Sequence, residues 1–197
     1  MCIERLNNQL DFIVEIDKLK KVIRRNLLCD QSRRENTAEH SWHAALMALV
    51  LSEHRRDPAI NVDRVIKMIL VHDLVEIDAG DTYCYDIAAH VDKAKRESEA
   101  AKRIFGLLPD DQRRDIGALW DEFEEEKTPE SHYANAIDRL NPFLLNFHSG
   151  GKSWKDHGVN RKQVLERMSK TMEYIPAIQP MLLSMIETAV ERGWIKP

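Results

Sequence analysis

Apolar residues recur along most of this chain at intervals of three and four positions, which is the spacing of an amphipathic helix. Near residues 4–27 the spacing includes Leu6, Leu10 and Ile13, and it predicts a first helix over that stretch. The alternation of apolar and polar residues that marks a half-buried strand is missing from the sequence. The pattern therefore predicts an all-α protein.

Residues that cap helices set the start of the second predicted helix. Asn36 is followed three positions later by Glu39, and this pair resembles a capping box. We expect the helix to run from there to about Arg55, before Pro58. Residues 44–51 are apolar on every side of this helix, which predicts that it lies in the centre of the core.

Further helices are predicted at about residues 61–77, 88–105, 110–126, 130–148 and 160–192. The last region contains Pro176 and Pro180 and is expected to bend there, because proline lacks the amide hydrogen that an interior helical position donates. Together the segments predict a single-domain bundle of six or seven helices over residues 1–197. The candidate site lies within about 33–148, and a C-terminal helical region follows at 160–192.

The composition agrees with a folded helical protein. The chain has 197 residues, of which 43% are hydrophobic and 31% are charged, a balance typical of one globular domain. Only 7 residues are glycine, and few glycines mean few tight turns, which favours long helices over many short strands. The formal net charge of −4 shows no basic excess, so nucleic acid is not an expected partner.

The cysteines and the N-terminal residues predict a reduced compartment. Cys2, Cys29 and Cys84 are an odd number of thiols without a closely spaced pair, so they indicate no disulfide framework. The first residues carry several charges instead of an apolar signal core. The longest apolar run, residues 44–52, is too short to span a bilayer. We therefore expect a cytoplasmic protein without a membrane partner.

Four polar residues interrupt apolar helical segments and are candidates for a metal site: His40, His72, Asp73 and Asp138. Each one alone is more often a hydrogen-bonded core residue than a metal ligand. Together they are a sharper signal, because polar groups in buried helices are costly unless they are paired or bind a metal. Imidazole and carboxylate suit Mn, Fe, Co, Ni or Zn, and carboxylates also suit Mg.

A fifth polar residue, Glu76, lies four positions after His72 and three after Asp73. On a helix it therefore faces the same side as both. If those two residues bind a metal, Glu76 places a free carboxylate beside a metal-bound water. General acid–base catalysis at a metal centre requires this arrangement.

Three motifs contain these candidates: RRENTAEHSWH at 33–43, HDLVEIDAGD at 72–81 and AIDRL at 136–140. In this combination they resemble the HD-domain superfamily of metal-dependent phosphohydrolases. The resemblance is strongest to the branch that contains the bacterial 5′-deoxynucleotidases and the HD-domain-containing-2 proteins.

The resemblance implies an HD-domain fold, one bound divalent metal ion (Mn, Co, Fe, Ni, Zn or Mg), a nucleotide substrate and a homodimer. The implied metal ligands are His40, His72, Asp73 and Asp138. The implied catalytic residues are Glu76 and Asp81, and the implied substrate contacts are Arg25, Asp81 and Thr82. Next to Arg25 the chain has Asn26, where the family has an aromatic residue.

The expected reaction is metal-assisted hydrolysis that removes phosphate from a 5′-(deoxy)nucleoside monophosphate. Glu76 or Asp81 would position the water or protonate the leaving ester oxygen. Arg25, or the pair Arg33 and Arg34, would neutralise the charge of the phosphate.

Other functions stay open at this point. Hydrolysis of a deoxynucleoside triphosphate is the alternative within the same class, and the depth of the pocket and its basic residues would separate the two. A second class is an HD-fold di-iron oxygenase, but it needs further histidines, and the stretch before Asp138 offers only His90 and His132. A third class is a non-catalytic metal-binding module, against which the extra carboxylates of Glu76 and Asp81 argue.

Overall fold

The computed structural model describes residues 2–86 and 91–197, and this part of the chain is mainly helical. Its longer helices are α1 (Cys2–Ile16), α2 (Thr37–Val50), α3 (Val62–Val71), α5 (Lys93–Phe105), α6 (Asp110–Glu125), α7 (Pro129–His148), α9 (Arg161–Tyr174) and α10 (Gln179–Glu191). Two short helices, α4 (Glu76–Ala79) and α8 (Lys152–Asp156), lie between them. Two short strands are β1 (Ile23–Leu27) and β2 (Arg34–Asn36). The predicted all-α fold class is confirmed.

The described helices outnumber the predicted six or seven, because some predicted segments are interrupted. The C-terminal region, predicted at 160–192, is divided into α9 and α10 at Ile175 and Pro176, where proline was expected to bend it. The helix predicted at 88–105 starts at Lys93 as α5, and residues 88–90, including His90, lie outside the described part of the chain. The single-domain range 1–197 stays a prediction.

Helix α7 lies in the centre of the bundle, where it contacts α2, α3, α6 and α9. Thr128 and Ser131 form a capping box at its start, and Pro129 occupies the first turn. Tyr133 and Ile137 on this helix have no exposed surface. Because neighbouring helices cover α7 on several sides, Asp138 lies among side chains from those helices.

A second apolar cluster lies beside this core. Phe12 of α1 and Leu19 of the following 3₁₀ turn pack with Leu74, Val75 and the buried face of α5. This cluster supports the turn that follows α3, and that turn contains two of the candidate site residues.

The prediction of one helix over residues 4–27 is wrong beyond Ile16. After a 3₁₀ turn at Asp17–Lys21 the chain extends into β1, which pairs antiparallel with β2. A sequence shows only local periodicity, and a spacing of three and four can arise by chance in a strand. Whether such a segment is a strand depends on its hydrogen bonds to another part of the chain. In this hairpin, residues 23–27 contact α7.

The capping box predicted for α2 is confirmed, because the Asn36 side chain accepts from the Glu39 amide at 3.0 Å and the Asn36 amide donates back at 3.2 Å. The helix ends at Val50 and a 3₁₀ turn follows, so the predicted end at Arg55 is too late. The central position predicted for residues 44–51 is wrong for one face of α2. Ala44, Ala45 and Ala48 are buried, but Leu46, Leu49 and Val50 are 42%, 52% and 69% exposed.

No helix in residues 2–86 or 91–197 is long and apolar enough to cross a membrane. Cys29 and Cys84 have free thiols. The cytoplasmic location stays a prediction.

Candidate active site

His40 enters the site from the first turns of α2. Its side chain has no exposed surface, and its Nε2 lies 2.9 Å from Asp138 Oδ1 of α7. The other ring nitrogen, Nδ1, lies 3.4 Å from the amide oxygen of Asn141. That oxygen only accepts, so a proton on Nδ1 leaves the Nε2 lone pair free for a cation.

The helix predicted to continue to Ile77 ends earlier, and this break orients the next two candidates. α3 stops at Val71, and His72–Val75 form a tighter 3₁₀ turn before α4. His72 Nδ1 donates to the Ile69 carbonyl at 2.7 Å, which directs Nε2 towards the site. That Nε2 is buried and has no hydrogen bond in the described chain.

The four predicted ligands border one gap. Ligand atoms of His40, His72 and Asp73 all lie within 4.8 Å of one another. His72 Nε2 is 3.1 Å from Asp73 Oδ1 and 3.5 Å from Asp138 Oδ1. Ligands bind divalent metals at about 2.0–2.2 Å, so atoms around one ion are a few ångströms apart. The buried unpaired nitrogen and the two carboxylates therefore fit a divalent cation.

Negative charge exceeds positive charge around this gap. Arg24 of β1 approaches Asp73 at 2.9 Å, Asp81 at 3.6 Å and Glu76 at 3.9 Å, and its Nε lies 3.8 Å from Glu35. Burial opposes the charged form of Arg24, but Asp73, Glu76 and Asp81 outweigh it and raise its pKa. One guanidinium cannot balance this many carboxylates, and a divalent cation would reduce the excess.

The electrostatic field at the four candidate ligands favours a bound positive charge. Burial alone would raise the pKa of Asp138, but the neighbouring rings of His40 and His72 hold it well below its usual range. Burial alone would lower the pKa of His72, but Asp73 and Asp138 raise it to about 9. The negative charge of Asp73 and Asp138 that raises the pKa of His72 would also attract a metal cation.

Glu76 and Asp81 approach the same Arg24 nitrogen, Nη1, that contacts Asp73. Burial and the charge of Asp73 raise the pKa of Glu76 well above its usual range, and Arg24 partly opposes the shift. Thr37 Oγ1 donates to Glu76 Oε2 at 2.9 Å, which fixes the carboxyl group. Burial also raises the pKa of Asp81, against the effect of Arg24. Both groups can therefore hold a proton close to neutral pH more readily than exposed carboxylates.

A cavity of about 210 Å³ opens beside these groups. Its lining on α7 includes Asp138 and Pro142, and also Asn146, which lies about 12 Å along the helix from Asp138 at 1.5 Å per residue. The predicted residues His72, Asp73, Glu76, Asp81, Thr82, Arg25 and Asp138 line it. His40 lies behind this wall, buried completely.

Of the predicted arginines, Arg25 lines the cavity, and Arg33 and Arg34 do not. Arg25 is exposed and lines the cavity without an ion pair among the described residues, but its neighbour Arg24 contacts the carboxylates. Arg33 pairs with Glu39 at 2.6 Å on the surface, and neither Arg33 nor Arg34 lines the cavity. Adjacent side chains of a strand point to opposite faces. A strand predicted at 23–27 would therefore have indicated that Arg24 and Arg25 have different neighbours.

Sequence reasoning also missed cavity residues from the later part of the chain. Arg139 of α7 and Arg167 of α9 line the cavity, and Arg139 pairs with Glu126 at 2.6 Å. Burial and the neighbouring charge of Arg167 lower the pKa of Arg139 to about 10. The position of Arg139 next to Asp138 was a usable signal, whereas Arg167 had none.

His40 of α2, Asp138 of α7 and the adjacent pair His72 and Asp73 thus border one gap, and their donor atoms suit a divalent cation. A model of the HD domain family matches residues 16–179, and the chain belongs to this family. A predicted metal-dependent phosphohydrolase from Magnetospirillum magnetotacticum has a crystal structure similar to this one, with a TM-score of 0.91 and 46% sequence identity. The superposition covers 98% of this chain and 100% of that chain.

Curated relatives agree with this assignment. The human 5′-deoxynucleotidase HDDC2 is 32% identical over 136 residues, which are 68% of this chain and 65% of the human protein. The match thus spans slightly less than two thirds of that relative. The 5′-deoxynucleotidase of Yersinia pestis is 26% identical over 178 residues, 85% of this chain and 89% of its own length.

Proposed function

We propose that this protein is a metal-dependent phosphohydrolase that removes phosphate from 5′-(deoxy)nucleoside monophosphates. The observation that carries the proposal is the position of Glu76. Its carboxyl group is buried, is held by Thr37 at 2.9 Å and borders the cavity beside the four candidate ligands without being one of them. The names of the human and Yersinia relatives support a nucleotide substrate, and the name of the Magnetospirillum neighbour supports metal-dependent phosphate hydrolysis.

His40, His72, Asp73 and Asp138 would hold one divalent cation. When bound, such an ion polarises a phosphoryl oxygen and lowers the pKa of a bound water. The nitrogens and carboxylates of this set are compatible with Mn, Fe, Co, Ni and Zn. His72 is kept in the required orientation by the Ile69 carbonyl.

Glu76 and Asp81 would perform the proton transfers. Water attacks phosphorus, the bond from phosphorus to the 5′ oxygen breaks, and the products are inorganic phosphate and a nucleoside. One carboxylate receives the proton of the attacking water, and a protonated carboxyl group donates to the leaving oxygen. The raised pKa of both groups suits this exchange, because each can hold and release a proton.

Arg25, Asp81 and Thr82, which all line the cavity, would contact the substrate. Arg24 orients Asp73 through its 2.9 Å contact. The polar wall at Asn26 and Asn146 lies at the other end of the cavity, where the nucleoside of a metal-bound nucleotide would lie.

The direct test is phosphate release from nucleoside mono-, di- and triphosphates in the presence of Mg, Mn, Co or Ni. We expect a monophosphate to be the best substrate, Glu76→Gln to lower turnover strongly and His72→Ala to abolish it. Release of tripolyphosphate from a deoxynucleoside triphosphate would instead support the alternative activity. Full activity of both variants on the best substrate would overturn the site assignment.

We also propose a homodimer formed through α1 and α2. Ile3, Leu6, Leu10 and Ile13 follow a spacing of three, four and three residues along α1, yet they are 76%, 51%, 49% and 58% exposed. On α2, Trp42, Leu46 and Leu49 are 62%, 42% and 52% exposed. An apolar stripe with this spacing is the seam by which two helices pack, and its exposure favours a second copy of the chain as partner.

A further inference from the structure

Most cationic side chains around the cavity have a carboxylate at hydrogen-bond distance. The pairs are Arg24 with Asp73 at 2.9 Å, Lys93 with Glu97 at 3.0 Å and Arg139 with Glu126 at 2.6 Å. Their charges are therefore largely neutralised before any ligand binds.

Arg167 of α9 differs from these residues. The nearest carboxylate oxygen given for it in the described chain is Asp138 Oδ2, at 3.7 Å, which is too long for a hydrogen bond. Its Nε is buried and has no hydrogen-bond partner in the same part of the chain, as is also the case for Arg24 and Arg139, but those two residues have a carboxylate at hydrogen-bond distance from another nitrogen. Glu126 is instead paired with two other cations, Arg139 through one oxygen and Lys170 through the other.

The weak partner of Arg167 is itself a candidate metal ligand. Asp138 Oδ1 faces His40 and His72, and Oδ2 faces Arg167. A cation held by Asp138 would take up most of its negative charge. Arg167 would then be a positive charge in the cavity wall, next to the metal, without an anion.

We propose that Arg167 binds the phosphoryl group of the substrate. A guanidinium presents several hydrogen-bond donors in one plane, and these match the oxygens of a phosphate. At 3.7 Å, the Asp138 carboxylate does not accept a hydrogen bond from these donors, so they are available to a phosphate. Arg167 and Arg24 approach the gap beside different ligands, Asp138 and Asp73, so together they would contact the phosphate from two directions. This inference rests on the proposed phosphohydrolase function.

The test compares Arg167→Met and Arg167→Lys with the wild-type chain. The probe is inorganic phosphate, titrated by calorimetry into the Mn-loaded protein, together with KM and kcat for the best nucleoside monophosphate. We expect Arg167→Met to weaken phosphate binding by about tenfold to a hundredfold, the loss typical of a charged hydrogen bond. Arg167→Lys keeps the positive charge but lacks the planar pair of guanidinium donors, so its phosphate affinity should lie between those of Arg167→Met and the wild type.

Arg161→Met is the matched control. Arg161 lies on the same helix α9, where it pairs with Glu187 at 2.9 Å, and it does not line the cavity. Its removal changes the net charge equally and should leave phosphate affinity unchanged.

Mn²⁺ affinity, measured on the same proteins, separates phosphate binding from a role in orienting Asp138. Removing a cation beside a metal site leaves Mn²⁺ affinity equal or higher, whereas loss of orientation lowers it. Weaker Mn²⁺ binding with unchanged phosphate affinity in the Mn-loaded Arg167→Met protein would overturn the inference. If the wild type binds phosphate through Arg167 but hydrolyses no phosphate monoester, the proposed function fails and the anion site stands.

Discussion

His40 Nε2 and Asp138 Oδ1 lie 2.9 Å apart, although 98 positions separate the two residues in the chain. The contact joins the first turns of α2 to the middle of α7. Both helices are fixed independently of this contact, α2 by its capping box and α7 by the core around it. The two side chains are therefore held close together before a ligand binds, and such preorganisation favours tight binding of a cation.

Replacing Asp138 should weaken metal binding strongly. Asp138→Ala removes a carboxylate from the gap. Loss of a residue that only hydrogen-bonds to a metal ligand lowers metal affinity by about 10–100-fold, so we expect a larger fall in Mn²⁺ or Co²⁺ affinity here. Calorimetric titration measures this. Asp156→Ala is the control, because Asp156 pairs with Lys152 at 3.0 Å on the surface. Equal affinity in Asp138→Ala and the wild type would exclude Asp138 as a ligand.

Replacing Glu76 should affect the chemical step and spare the metal. Glu76→Gln keeps the shape but cannot accept or give up a proton, so we expect kcat to fall by about 10²–10⁴-fold. Metal content, measured on the same sample, should stay as in the wild type. Thr37→Val removes the hydroxyl that donates to Glu76 and should lower kcat by about tenfold. A Glu76→Gln protein that lost its metal would indicate that Glu76 is a ligand instead.

Removing the metal should lower thermal stability. The gap brings several carboxylates together around Arg24, and a bound cation relieves their repulsion. At a free metal concentration a hundredfold above Kd, binding adds about 2.7 kcal/mol. For a chain of this size that corresponds to a rise in Tm of about 5–10 °C. Scanning calorimetry with and without a chelator measures the shift, which Asp138→Ala should largely abolish.

The polar pair at the far end of the cavity should contribute to folding stability. Asn146 Nδ2 donates to Asn26 Oδ1 at 3.1 Å, and both residues are at least nine-tenths buried. Asn146→Ala leaves the Asn26 oxygen without this donor, so we expect a loss of about 1–3 kcal/mol in the free energy of unfolding. Urea denaturation measures it. The exposed Asn8 on α1 provides the control, since Asn8→Ala should change stability little.

A charge in the apolar stripe of α1 should disrupt the proposed dimer. Leu10 is 49% exposed, so Leu10→Glu places its carboxylate in water in the monomer but in an apolar interface in the dimer. We expect light scattering after gel filtration to give a dimer for the wild type and a monomer for the variant. Gln112→Glu, which also adds a negative charge, provides a control outside the stripe. A wild-type monomer at micromolar concentration would contradict the proposal.

The sequence alone determined the features that depend on neighbouring residues. The all-α class followed from spacing of three and four, and the start of α2 followed from Asn36 and Glu39, because capping joins residues only three positions apart. The candidate ligands stood out because each is a polar residue in an apolar helical segment. None of these inferences required knowledge of which helices are neighbours.

Tertiary structure decided what depends on distant parts of the chain. Strand β1 exists through its pairing with β2, so it was Arg24 rather than Arg25 that reached Asp73. The spacing of apolar residues predicted a helix at α1, but only the tertiary structure shows that its apolar stripe is exposed. Arg167 lies next to Asp138 because α9 packs on α7. Local periodicity contains no information about such packing, since hydrogen-bond partners and burial are set by contacts between residues far apart in sequence.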